Sequence, residues 1–162
     1  MRHTIAVLVE NKPGVLARVA TLFRRRGFNI HSLAVGTTER EDISRMTIVV
    51  SGDDKVMEQV IKQLNKLIEV IKVSDVSRNS VERELTMIKV AANSENRGEI
   101  VEIANIFRGR IVDVARDSMV IEITGDEEKV KAFVDLMRQF GIKELVRTGR
   151  ISITRGGRII QI

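Results

Sequence analysis

Asn11-Lys12-Pro13-Gly14 is the first place in this sequence where residue types and spacing could do chemistry. The four residues join the end of an apolar run to the start of a helical one, where unpaired backbone N–H groups and the helix dipole favour an anion such as a carboxylate. Gly14 lets a ligand approach the backbone, and the Asn11 amide can donate to a carboxylate and accept from an ammonium. Asn-Lys-Pro-Gly is equally a good turn and helix start, and on local chemistry alone that plainer reading is the commoner one. Gly27-Phe28-Asn29-Ile30 opens a second strand, and an asparagine there usually caps a turn. Asn29 gains interest if the first and second strands lie side by side, or in neighbouring protomers, so that it faces the Asn11 loop. The pair would then offer a free amino acid N–H donors for its carboxylate and amide oxygens for its ammonium, with aliphatic walls from Val15, Leu16, Ile30 or Val35.

The remaining candidates have simpler explanations. Arg24-Arg25-Arg26 could bind phosphate or an acidic partner surface, but three cations in the last turn of a helix also complement its negative end. Gly52-Asp53-Asp54 and Gly125-Asp126-Glu127 resemble fragments of metal or diphosphate sites, and each also reads as a capped helix start. His3 and His31 have no second histidine at ligand spacing, and Arg155-Gly156-Gly157-Arg158 is a single basic repeat without aromatics. There is no cysteine, no G-x-G-x-x-G, no P-loop and no histidine beside a plausible serine, so the chain is expected to bind rather than catalyse.

Composition narrows the partners. The 162 residues carry a net charge of +5, with 12 basic and 9 acidic side chains up to Val76 and 15 and 13 after it, so there is no basic arm. Five Phe and no Trp or Tyr make poor material for stacking bases, and no nucleic-acid partner is expected. No apolar run approaches the ~18 residues of a membrane span. Met1 to Glu10 alternates instead of forming a signal-peptide core. A soluble, cytoplasmic chain without a membrane partner is the expectation.

The elements that must position these residues repeat. Thr4 to Glu10 reads as a strand, and Val15, Leu16, Val19, Leu22 and Phe23 as a helical stripe ended by Gly27. Asn29 to Thr37 and Arg45 to Val50 read as strands flanking a hairpin loop over Thr38 to Asp42. A helix then carries Val56, Val60, Ile61, Leu64 and Leu67, and Val70 to Val76 closes the unit. The same order begins again at Glu84, with helical stripes at Ile100, Ile103, Ala104, Phe107 and at Val130, Phe133, Val134, Met137. Its last strand falls within Lys143 to Ile153. The fold class is therefore α+β, two tandem ferredoxin-like (βαββαβ) domains, 1–77 and 82–162, with a short polar linker at Ser77 to Val81 and a loosely held tail from Arg155 to Ile162. Asn93-Ser94-Glu95-Asn96-Arg97-Gly98 replaces the first loop in the second copy, longer and without proline, so the halves are expected to share a fold but not a site. One sheet face and the edges of each copy would stay open, which oligomerisation would cure.

Asn11-x-x-Gly14-x-Leu16, Arg26-Gly27-Phe28-Asn29-Ile30, Ser44-Arg45-Met46-Thr47-Ile48, Val81-Glu82-Arg83-Glu84-Leu85 and Phe107-Arg108-Gly109-Arg110-Ile111-Val112-Asp113 together make the chain, from Met1 to about Gly157, resemble the regulatory small subunits of acetolactate (acetohydroxyacid) synthase. The resemblance implies that domain 1–77 is an ACT domain, pairing side by side with a second copy in a homodimer and binding valine or another branched-chain amino acid at that interface. It implies effector contacts at Asn11, Gly14 and Asn29, with Val15, Leu16 and Ile30 as neighbouring walls. It also implies a partner: the catalytic large subunit, which joins two pyruvates, or pyruvate and 2-oxobutanoate, and which this chain would activate and subject to feedback inhibition. Thiamine diphosphate, Mg²⁺ and FAD would belong to that subunit, leaving no cofactor, catalytic residue or metal here. A stand-alone amino-acid-sensing ACT protein acting on another partner is the alternative, and a tandem RNA-binding protein would need exposed strand aromatics that this chain lacks.

Overall fold

The structure is a computed structural model in which residues 1–160 are described. It divides into two compact units, Met1–Val81 with Arg150–Ile162, and Glu82–Gly149.

In the first unit the order is β1 (Arg2–Glu10), α1 (Val15–Arg26), β2 (Ile30–Thr37), β3 (Ile43–Ser51), α2 (Asp54–Leu64) and β4 (Val70–Asp75). The strands form one sheet in the order β2-β3-β1-β4, and every neighbouring pair is antiparallel. Alternation along the strands decides which side chains meet the helices. Ile5, Val7 and Val9 of β1 stand with Met46, Ile48 and Val50 of β3 against Val15, Val19 and Phe23 of α1 and Met57, Val60 and Leu64 of α2. Gly27 ends α1 in the left-handed region at φ 69°, which its lack of a Cβ permits, and Arg24 to Arg26 occupy the last turn, where cations suit the helix dipole. Asp53 caps α2 by accepting from the Val56 N–H at 2.9 Å.

The second unit repeats the plan with β5 (Ser80–Ala91), which begins in the first unit, α3 (Arg97–Ile106), β6 (Arg110–Val114), β7 (Ser118–Gly125), α4 (Glu127–Met137), a 3-10 turn at Arg138–Phe140 and β8 (Ile142–Arg147). Its strand order, β6-β7-β5-β8, matches that of the first sheet position for position. Ile88, Val90, Ile121 and Ile123 face Ile100, Ala104, Val130, Phe133 and Met137, and Asp126 caps α4 through the Lys129 N–H at 2.9 Å. Both units are ferredoxin-like, as the periodicity predicts.

The C-terminus differs from expectation. Lys143 to Ile153 holds two strands, not one: β8 closes the second sheet, Gly149 turns the chain at φ 85°, and β9 (Ile151–Thr154) pairs with β5. From Arg150 the chain belongs to the first unit, so 82–162 is not one compact unit. The stretch that leads into the expected tail is tied to the first unit, and the tail itself is tied at Arg155. The Arg150 N–H donates to Ser32 Oγ at 2.8 Å and its Nη1 to Thr4 Oγ1 at 3.3 Å. Arg45 Nη2 donates to the Ser152 carbonyl at 2.6 Å, and the Arg155 N–H to the Asn79 carbonyl at 2.9 Å. Thr4 and Ser32 both lie opposite Val49, and Arg45 opposite Leu8, which places them on the sheet face away from the helices. The chain's own C-terminal segment thus lies along a face expected to be open, because Ser32 and Thr4 there accept from Arg150 and Arg45 donates to the Ser152 carbonyl. Gln161 and Ile162 lie outside the described residues.

Candidate functional site

The Asn11 loop is built by the two elements it joins and by a hairpin loop that local sequence does not connect to it. Gly14 takes φ 85° and precedes α1, whose first turn receives no side-chain cap and carries no acidic residue. The helix N-terminus is therefore open to an anion. A Cβ at Gly14 would meet nothing within 4 Å, so the glycine serves the backbone turn and leaves the space in front of it clear. The Asn11 N–H donates to the Asp42 carbonyl and Nδ2 to the Glu41 carbonyl, both at 2.8 Å. Those bonds hold the amide in place and turn its oxygen into the group left to accept. The hairpin loop is itself ordered: Thr38 Oγ1 donates to the Ile43 carbonyl at 3.1 Å, and Arg40 grips Asp42 with Nε and Nη2 at 3.2 and 2.8 Å. The hydrogen bond from Arg40 holds the Asp42 carboxyl below the usual carboxylate range.

Of the expected wall residues, Val15 is a core side chain packed under the sheet, whereas Leu16 is 46% exposed beside the loop. Asn29 is exposed just ahead of β2, and Ile30 is half-buried against the core. Within one chain, however, Asn29 and the Asn11 loop are apart. β3 lies between β1 and β2, so the two strands are not side by side. Ile30 shares a row with Val50 and His3, while Glu10 shares one with Ile43. The two asparagines therefore stand at opposite ends of the sheet, separated by about seven residues of strand, roughly 23 Å. Only the other expected arrangement, across neighbouring protomers, can bring them together.

The second copy closes the equivalent loop on itself. Asn93 Oδ1 accepts from the Glu95 and Asn96 N–H groups at 2.9 Å, and Asn96 Oδ1 accepts from the Asn93 N–H at 2.7 Å. Arg97 donates to the carbonyls of Ala115 and Arg116. With its donors taken up this way, the loop offers less to a ligand than the first copy's does.

The other candidates resolve simply. Both Gly-Asp segments are capped helix starts. His31 Nε2 lies 2.5 Å from Ser51 Oγ, and no group of three or more His, Asp or Glu that could hold a metal occurs among the described residues. No helix among them is long and apolar enough to cross a membrane. Sequence reasoning missed the hairpin carbonyls that fix Asn11 and the bond from Arg45 to the Ser152 carbonyl. A run such as Thr38 to Asp42 signals a loop without signalling what it will touch.

Comparison with known proteins agrees with this architecture. Residues 5–72 match the family described as AHAS small subunit-like ACT domain, and residues 83–156 the family described as small subunit of acetolactate synthase. A curated protein of Archaeoglobus fulgidus named "Probable acetolactate synthase small subunit" is 75% identical over 98% of this chain and 99% of its own length. The acetolactate synthase small subunit of Mycolicibacterium smegmatis is 55% identical over 96% of this chain and 92% of its own. The crystal structure of the acetolactate synthase small subunit from Thermotoga maritima superimposes with a TM-score of 0.90 at 46% identity, covering 98% of this chain and 99% of that one. Two ferredoxin-like units in this order, matched by relatives over nearly their whole length, show that the chain belongs to the acetolactate synthase small-subunit family.

Proposed function

We propose that this chain is a regulatory subunit that dimerises through its first unit, binds valine or another branched-chain amino acid across that dimer, and passes the binding state to an acetolactate synthase catalytic subunit. The observation that carries this reading is the uncharged edge strand β2 with a half-site at each end. From Ile30 to Thr37 it contains no Lys, Arg, Asp or Glu, whereas β4, β6 and β8, which border the same two sheets, each contain some. Bare edges invite pairing and charged ones deter it. Two β2 strands joined antiparallel about a two-fold axis would set Asn29 and Ile30 of one protomer beside the partner's Thr37, the end of the sheet where the partner's Asn11 loop stands. Each dimer would then hold two equivalent sites. Backbone N–H groups at Gly14 and the α1 terminus would take the effector's carboxylate, the Asn11 oxygen and Asn29 its ammonium, and Leu16 and Ile30 its branch.

An effector bridging two protomers favours whichever dimer arrangement holds it best. Contact with the catalytic chain would convert that preference into a coupling free energy of ~1–3 kcal/mol. The chemistry itself, with thiamine diphosphate, Mg²⁺ and FAD, would stay on the catalytic subunit, in the cytoplasm. The test is acetolactate formation by a reconstituted holoenzyme titrated with valine, using Gly14→Asp and Asn29→His. Both are expected to raise the half-inhibiting valine concentration at least about tenfold while leaving uninhibited activity in place. Unchanged valine sensitivity in both would remove the assignment, and failure of the chain to alter any acetolactate synthase would favour a sensor acting on another partner.

A further inference from the structure

A second concavity lies on the helix-free face of the first sheet, on the far side from α1 and the Asn11 loop. It is a groove open to solvent on one side, with a volume of about 400 Å³, within the ~300–1,000 Å³ common for small-molecule sites. Leu8 and Ile43, both core residues at the end of the sheet, form its aliphatic floor with Ile160 of the C-terminal segment. Arg45 enters it half-buried, with the Ser152 carbonyl as its hydrogen-bond acceptor and, among the described residues, no carboxylate paired to it. Burial draws the guanidinium pKa down from its ordinary value, as expected for a cation whose water has been replaced without a counter-ion. Arg40, also at the rim, is committed to Asp42. Arg45 is thus the cation left for an incoming anion, and a guanidinium beside an aliphatic floor suits a carboxylate with a short hydrocarbon branch.

We propose that this cavity is a second ligand site, for a small aliphatic carboxylate, with Arg45 holding the carboxylate and Leu8, Ile43 and Ile160 the branch. The inference goes beyond the effector reading and does not depend on it. Two sources share this chemistry. An amino acid would place its ammonium toward the Glu39 carboxylate at the rim, and a 2-oxo acid would turn its carbonyl to the Thr37 hydroxyl. The hairpin loop links the two sites: Thr37 to Arg40 line the cavity, while the Glu41 and Asp42 carbonyls hold Asn11. An occupant here would therefore stiffen the loop that fixes the proposed effector amide.

Calorimetric titration of the full chain with valine, α-ketoisovalerate and acetate tests it, in the parent chain and in Gly14→Asp, Arg45→Ala, Arg45→Lys and Ile160→Trp. The expected result is one binding event that survives Gly14→Asp, weakens at least about tenfold in Arg45→Ala, is partly retained in Arg45→Lys and is lost in Ile160→Trp, which fills the cavity without removing the charge. Whichever branched probe gives the event identifies the source. The inference is overturned if neither branched probe binds the Gly14→Asp chain, if Arg45→Ala and Ile160→Trp leave binding unchanged, or if acetate binds as tightly as the branched probes. Should Arg45→Ala fail to fold, Arg45→Lys and Ile160→Trp still decide. Failure of the effector reading shows separately, as holoenzyme inhibition by valine that Gly14→Asp does not alter.

Discussion

Replacing Gly52 and Gly125 with alanine, one at a time, separates two copies of one motif by the residue each glycine meets. Each precedes an N-cap aspartate, Asp53 or Asp126, and neither requires a positive φ. A Cβ on Gly52 would stand 2.4 Å from Val56 Cγ1 and 2.6 Å from Val56 Cβ; on Gly125 it would stand 2.6 Å from Lys129 Cδ and 3.2 Å from Lys129 Cβ. Val56 is β-branched, confined in a helix to essentially one rotamer, and packed against the core, so relief requires the first turn of α2 to shift. Lys129 can swing its stem aside, giving up an exposed Nζ bond to the Thr124 carbonyl at 2.9 Å. Forcing extra volume against a fixed neighbour costs ~1–3 kcal/mol. Giving up one exposed hydrogen bond costs ~0.5–1 kcal/mol, and that is offset by the ~0.4–1 kcal/mol that Gly→Ala gains through the unfolded chain. With the same unfolded-chain gain counted for both, Gly52→Ala should therefore destabilise its unit by ~1–2 kcal/mol and Gly125→Ala by about zero. Urea unfolding followed by circular dichroism gives the totals. Amide exchange in β1 and β3 against β5 and β7 assigns them to a unit. Equal losses, or a larger loss for Gly125→Ala, would refute the idea that the helix-locked valine is the obstacle.

Other consequences can be checked as directly. Val35→Lys puts a charge on the bare β2 edge at a residue 47% exposed, and light scattering should show a dimer turning into a monomer; an unchanged dimer would mean β2 is not the pairing edge. Phe133→Ala removes a fully buried ring that meets Phe107 edge-on at 5.5 Å, and should destabilise the second unit by ~3–5 kcal/mol in the same urea assay while leaving exchange in β1 and β3 unchanged. Because the Arg40 hydrogen bond lowers the folded pKa of Asp42, the Arg40–Asp42 contact is present above the ordinary aspartate pKa and is lost as pH falls through the lowered value. Carbon NMR titration should find the Asp42 carboxyl returned to its ordinary range in Arg40→Gln, and an unmoved titration would contradict the pairing.

Much of the fold was legible because its signals are local. β-Branched apolar runs at Thr4 to Glu10 and Arg45 to Val50 mark strands, Gly27 and the two aspartate caps mark helix ends, and the hairpin loop at Thr38 to Asp42 falls where expected. Val15 was less legible. Its place after Gly14 suits a ligand wall as well as a core position, and only the packing of α1 on Ile5, Val7 and Val9 sends it inward. The two strands in Lys143 to Ile153 read as one because both are short and only three residues, with Gly149 among them, turn the chain between them.

By itself the sequence determined two ferredoxin-like units and, between strand and helix, a loop in the second copy that diverges from its counterpart in the first. These follow from side-chain period, caps and composition, which act over a few residues. Tertiary structure decided the rest: that β3 separates β1 from β2, that Asn11 and Asn29 stand at opposite ends of one sheet, and that the segment after Gly149 returns to the first unit. It also brought Arg45, Leu8 and Ile160 to one cavity. The physical reason is that strand order and register arise from which faces bury one another across long stretches of chain, and no local pattern records that choice.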